Sequence, residues 1–139
     1  MGSHRLVLMV GLLAAACAGQ PGPGPASSLA TSMMVDVASP AVELTLHVMN
    51  AGDAPVVFTF PSAQRHEFRI TGESGEEVWR WSEDRMFTQA LVTDTLEPGE
   101  TWRLQGEWEP GARAGRFTAV GLLTARDTTL EQRVTFELP

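Results

Sequence analysis

The stretch Val42-Glu43-Leu44-Thr45-Leu46-His47-Val48-Met49-Asn50-Ala51-Gly52-Asp53-Ala54-Pro55-Val56-Val57-Phe58-Thr59-Phe60 decides the fold. Val42, Leu44, Leu46 and Val48 alternate with Glu43, Thr45, His47 and Met49. Successive side chains of a strand point to opposite faces, so this period of two predicts a half-buried strand. Asn50 to Ala54 supply turn residues, and Pro55 opens a second apolar run from Val56 to Phe60.

The same pattern repeats downstream. Pro61 to Arg65 break the chain, and His66 to Thr71 resume the alternation with Phe68 and Ile70 inward. Thr71 to Gly75 form a tight connection before Glu77 to Trp81. Residues 82–92 carry no period and predict a loop, with room for one helical turn begun by Ser82. Thr93 to Leu96 read as a short strand, and Glu97-Pro98-Gly99-Glu100 as a turn whose Gly can take positive φ. Thr101 to Trp108 places Trp102, Leu104 and Gly106 on one face, with Arg103, Gln105 and Glu107 on the other. Gly115 to Leu123 follows a turn at Pro110 to Ala114, and Asp127 marks another turn. Val134, Phe136 and Leu138 lie on a last alternating strand. The expectation is an all-β chain: an immunoglobulin-like antiparallel β-sandwich of seven to eight strands over residues 32–139.

Composition narrows the function. The chain has 139 residues, about one domain. Its ten basic residues are all Arg, and seventeen Asp and Glu leave a net charge of −7. An acidic chain without a basic patch is a poor partner for nucleic acid, whose phosphates dominate that affinity. One Cys excludes an internal disulfide, a zinc cluster and a redox pair, and three His leave little for a histidine metal site. With no disulfide the core must rest on burial, to which four Trp and six Phe contribute.

The N-terminus reads as an export signal. Arg5 precedes the apolar run Leu6 to Leu13, which is too short for a permanent membrane span of about 20 residues. Leu13-Ala14-Ala15-Ala16-Cys17 is similar to a bacterial lipobox, with Ala14 where Leu is preferred. Residues 1–16 are expected to be a lipoprotein signal peptide, with Cys17 as the lipidation site. The alternative is an ordinary cleaved signal that leaves Cys17 a free thiol. Ala18 in place of Asp predicts outer-membrane sorting, on the periplasmic or cell-surface side, if the cell has two membranes. Residues 17–31, rich in Pro and Gly, read as a flexible tether.

Motifs for chemistry are missing. There is no Gly-x-Ser-x-Gly elbow, phosphate loop, Cys-x-x-Cys or His-x-x-x-His. His66 and Glu67 are adjacent on a strand and point to opposite faces, so they do not chelate one ion together. Glu76-Glu77 and Glu107 with Glu109 read as solvated faces. No nucleophile, base and orienter assemble, so the expectation is a non-enzyme without cofactor or metal. Trp79 and Trp81, two apart, share a face as part of the core or as an exposed aromatic shelf. Arg65, Arg69, Arg80 and Arg85 lie beside acids and read as surface ion pairs.

Three stretches together resemble the BsuPI family of bacterial intracellular proteinase inhibitors. They are Leu46 to Phe60 continuing through Pro61-Ser62-Ala63-Gln64-Arg65-His66-Glu67-Phe68, then Val78-Trp79-Arg80-Trp81-Ser82-Glu83-Asp84-Arg85-Met86-Phe87-Thr88-Gln89, then Leu96-Glu97-Pro98-Gly99-Glu100. The resemblance spans about residues 42–137. It implies an immunoglobulin-like sandwich that inhibits a subtilisin-type serine protease. Because this chain carries an export signal, the target would be an extracytoplasmic protease. An inhibitor of this kind must push a loop into the protease cleft in extended form. Two loops are long enough, Pro61 to His66 and Ser82 to Leu91, which makes Ser62, Gln64, Arg65, Arg85, Met86, Phe87 and Gln89 the candidate binding residues. Met86, Phe87 and Leu91 suit an apolar specificity pocket; alternatively Met86 and Phe87 tuck under the loop and pin it. A second functional reading is a non-inhibitory structural or protein-interaction module of the cell envelope.

Overall fold

A computed structural model describes residues 28–139. The expected signal peptide, Cys17 and the tether as far as residue 27 lie outside the described residues. Among the described residues nine strands run in chain order: β1 (Leu29–Val37), β2 (Val42–Asn50), β3 (Val56–Phe60), β4 (His66–Thr71), β5 (Glu77–Arg80), β6 (Val92–Leu96), β7 (Thr101–Trp108), β8 (Gly115–Leu123) and β9 (Leu130–Leu138).

All pairings are antiparallel. One sheet has the order β1-β2-β7, the facing sheet β5-β4-β8-β9, and β3 pairs with β6 as a separate ribbon. This is the strand arrangement of immunoglobulin-like sandwiches, with the ribbon added. The core lies between the sheets. Val42, Leu44, Leu46 and Val48 of β2 face Phe68 and Ile70 of β4 and Ala119 and Leu123 of β8, all buried. Trp108, Phe117 and Phe136 form one aromatic cluster, and Phe58, Phe60 and Trp102 another.

The strand count is nine rather than seven to eight, and the addition is β1. It begins at Leu29, inside the stretch read as tether through residue 31. Leu29, Thr31, Met33 and Val35 are half-buried while Ala30, Ser32, Met34 and Asp36 are exposed. A polar Thr31 inside and an apolar Met34 outside hide this period of two. Thr31 is usable there because its hydroxyl accepts a hydrogen bond from Gln132 Nε2 of β9 at 2.8 Å, joining the edges of the two sheets.

Two close approaches shape the interior beside the loops. Phe68 is fully buried between Gly121, its cross-strand partner on β8, and Gly106 on β7 of the facing sheet. A Cβ on Gly106 would lie 2.8 Å from Phe68 Cδ2 and 3.0 Å from Trp81 Cδ1. Only a residue without a side chain lets the two rings approach β7 this closely.

Asn50 ties together two turns. Fully buried at the end of β2, it donates from Nδ2 to the Ala54 carbonyl at 2.8 Å and to the Leu96 carbonyl at 3.0 Å. Its Oδ1 accepts from Gly52 N–H at 3.0 Å, and its backbone exchanges hydrogen bonds with Glu100 and Gly99. The Asn50–Pro55 and Leu96–Glu100 motifs therefore meet through one side chain.

Candidate functional site

The two long loops converge beside the free edge of β7. They are joined directly by Ala63 N–H donating to the Thr88 carbonyl at 2.9 Å. They are joined a second time through Glu67, which is 7% exposed. Its Oε1 accepts from Phe68 N–H at 3.2 Å and from Ser82 N–H at 3.0 Å. Its Oε2 accepts from Gln64 Nε2 at 3.1 Å and from the Ser82 hydroxyl. Hydrogen bonds to an ionised acceptor are roughly twice as strong as neutral ones, so this buried carboxylate is a latch at the base of both loops.

On the opposite face of β4, His66 stacks on Trp81 with ring centroids 4.1 Å apart, and its Nε2–H donates to the Gln105 carbonyl at 3.0 Å. Burial lowers the His66 pKa below its usual 6.5, and Arg85 acts in the same direction, against the hydrogen bond to Gln105 and the Glu67 charge. His66 and Glu67 thus point apart and serve different partners. Among the described residues no group of His, Cys, Asp and Glu is placed to hold a metal ion.

Trp81 is the platform for the second loop. After the turn from Trp81 to Asp84, the Arg85 guanidinium sits 4.3 Å from the Trp81 ring centroid, and Arg85 Nε donates to the Trp81 carbonyl at 3.1 Å. The Phe87 ring lies 5.8 Å from Trp81. Residues 85 and 87 contact one indole, and the residue between them points away. Met86 is 98% exposed, against 64% for Leu91. The alternative in which Met86 and Phe87 both tuck under the loop divides: Phe87 packs and Met86 does not.

The other candidates hold the loops. The Ser62 hydroxyl accepts from Gln64 N–H at 3.1 Å, and Gln64 Nε2 also donates to the His66 carbonyl at 2.9 Å. Arg65 pairs with Asp94 and covers the Trp102 and Phe60 rings at 5.3 and 5.7 Å. Gln89 Nε2 donates to the Phe87 carbonyl at 3.2 Å. Of the four arginines read as surface ion pairs, Arg80 meets Glu77 at 2.8 Å, whereas Arg85 is engaged with an aromatic ring. Trp79 and Trp81 are half-buried against the core, with Trp79 opposite Ile70 in the register. Glu67 and Trp81 as loop anchors escaped the reading of the sequence. The adjacency of Trp81 and Ser82 next to an aperiodic stretch was the available signal.

A cleft of about 470 Å³ opens between Trp81 and Arg85 on one side and Glu43, Gln105 and Glu107 on the other. Glu43 lies opposite Glu107 on β7 and opposite Asp36 on β1, so three carboxylates form one rung across the outer face.

The sequence model of the BsuPI family, described as an intracellular proteinase inhibitor, matches residues 29–128, beginning at the first residue of β1. The chain belongs to the BsuPI family. Membership implies a proteinase inhibitor domain. No curated protein matches the chain. Among solved structures, the BsuPI domain is similar to a penta-heme cytochrome c552 from Thermochromatium tepidum at 9% identity and a TM-score of 0.48, over 82% of this chain and 40% of that one. A putative β-galactosidase from Bacteroides fragilis matches at 18% identity and 0.42, over 82% and 16%. The N-terminal domain of PorA matches at 10% identity and 0.35, over 75% and 81%. The chain spans less than half the length of the first two.

Proposed function

We propose that this protein is an exported lipoprotein, anchored to a bacterial membrane by a lipid on Cys17, whose BsuPI domain binds and inhibits an extracytoplasmic subtilisin-type serine protease. The observation that carries this reading is an apolar side chain, Met86, standing free on a loop whose base is latched to the sandwich at Glu67 and Trp81. Proteases bind inhibitors as extended segments, and a segment held in that form before binding avoids the ordering cost of association. The short apolar N-terminal run, the Cys at its end and the Pro- and Gly-rich stretch that follows support anchoring and display at a distance from the membrane.

The test titrates a subtilisin-type protease with the mature protein in detergent and follows residual activity. Stoichiometric inhibition is expected. Mass spectrometry of the mature chain should show acyl groups on Cys17, and Cys17→Ser should release the protein from membranes. Absence of inhibition at micromolar concentration across subtilisin-type enzymes would leave the envelope interaction module as the better reading.

A further inference from the structure

Resting on the inhibitor reading, we propose that Met86 is the side chain taken by the primary specificity pocket of the protease, with the Met86–Phe87 peptide bond presented to the catalytic serine. The flanking residues fix this assignment. Arg85 and Phe87 lie against the same Trp81 ring. In extended chain, side chains at alternate positions share one side and the residue between them takes the other. That arrangement directs Met86 outward, and it is 98% exposed. Residues 85–89 lie outside any strand or turn, and none of them has positive φ.

Both sides of the bond are held independently of the bond itself. On the N-terminal side, Arg85 N–H donates to the Ser82 carbonyl at 3.1 Å, and Ser82 is held by Glu67. On the C-terminal side, the Phe87 carbonyl accepts from Gln89 and the Thr88 carbonyl accepts from Ala63 N–H. When the serine oxygen of the protease adds to the Met86 carbonyl carbon, the C–N bond to Phe87 breaks and the serine's proton passes to the Phe87 nitrogen. The new amine stays on Trp81 beside the ester. It re-adds to the carbonyl carbon, the serine oxygen leaves with its proton returned, and the peptide bond is restored. Trp81 is thus a positioning residue that makes the loop an inhibitor rather than a substrate. The partner is a serine protease whose pocket takes a long apolar side chain and lacks an acidic floor.

The experiment compares the mature wild type with Met86→Arg, Met86→Ala, Leu91→Ala and Trp81→Ala against subtilisin and trypsin. Met86→Ala should weaken subtilisin inhibition roughly 30-fold or more, as for a central buried contact, while Leu91→Ala stays within threefold. Met86→Arg should create trypsin inhibition that the wild type lacks, and slow clipping should yield a new N-terminus at Phe87. Trp81→Ala should turn the loop into a rapidly cleaved substrate. If the wild type inhibits subtilisin but Met86→Ala and Met86→Arg leave its inhibition within threefold, this assignment is overturned and the inhibitor reading stands. If neither the wild type with subtilisin nor Met86→Arg with trypsin gives inhibition, both fall.

Discussion

Removing the Glu67 carboxylate tests whether the loops are latched through it. Glu67→Ala deletes an acceptor that serves Phe68 N–H, Ser82 N–H, Gln64 Nε2 and the Ser82 hydroxyl. Hydrogen bonds to charged groups contribute about 1.5–3 kcal/mol each, but they share one carboxylate and are not additive. The carboxylate also gives up hydration by being buried, which offsets part of the gain. Gln64 keeps its bond to the His66 carbonyl, and Ser82 reaches water once the loop lifts. The net loss should be about 3–4 kcal/mol, a large share of the roughly 5–15 kcal/mol of a typical domain. Ser82→Ala removes only the hydroxyl contact and should lose about 1–2 kcal/mol. The double variant should be no less stable than Glu67→Ala alone, giving a coupling of about 1–2 kcal/mol. Urea unfolding with unchanged m-values measures all three. Hydrogen exchange at 62–66 and 82–91 should rise in each variant. Additivity within about 0.3 kcal/mol would show that the Ser82 hydroxyl and Glu67 do not interact, and with no rise in exchange at 82–91 in Glu67→Ala it would remove the latch from the account.

Four further outcomes follow from the same geometry. Asn50→Ala leaves the buried carbonyl of Leu96 without its side-chain donor and should cost about 2–4 kcal/mol in urea unfolding. Gly106→Ala drives a methyl to 2.8 Å from the fully buried Phe68 ring, so it should destabilise by about 1–3 kcal/mol despite the lower entropy of the unfolded chain, read as a drop in Tm. His66 has a folded pKa lowered by burial, so below pH 6.5 the unfolded chain binds the proton that the folded chain resists. Stability should therefore be fully present above 6.5 and fall as pH drops below it; His66→Phe should flatten the slope between about pH 7.5 and 5.5. Glu107→Arg, opposite Glu43, replaces a like-charge cross-strand pair with an opposite one and should stabilise by about 0.5–1 kcal/mol, an effect that salt should diminish.

The strands were legible where one face is apolar and the other polar without exception. Val42 to Val48 and Thr101 to Trp108 are of this kind; others, such as Val56 to Phe60 and Gly115 to Leu123, were placed as runs bounded by turn residues, and together these signals found eight of the nine described strands. β1 escaped because its period is carried by Thr31 inside and Met34 outside, and the Pro- and Gly-rich chain before it drew the boundary to residue 31. The two candidate loops were legible as loops, since aperiodic stretches of polar and small residues are loops for any fold. Their joining was not, because Glu67 reaches Ser82 across fifteen residues and alternation says only which face a carboxylate takes. Met86 and Phe87 are adjacent apolar residues in a stretch without a period, so parity alone could not decide which one packs. The position of Trp81 beneath residues 85 and 87 decides it.

The stretches that carry the family resemblance divide by what they hold. Asn50–Pro55 and Leu96–Glu100 meet at Asn50 and fix two turns. Gln64, Glu67, Trp81 and Ser82 meet under the second loop and fix the backbone on both sides of residue 86. Met86 lies within the resemblance in sequence, yet at 98% exposure its side chain leaves the sandwich for solvent. A substitution at such a surface position changes stability by no more than about 0.5 kcal/mol. In a protease complex the same side chain would be a central, fully desolvated contact, where truncation costs about 2 kcal/mol or more. On the proposal that Met86 fills the protease pocket, stability and specificity reside on different residues. The latch can stay as it is while position 86 alone is changed to suit proteases with different pockets.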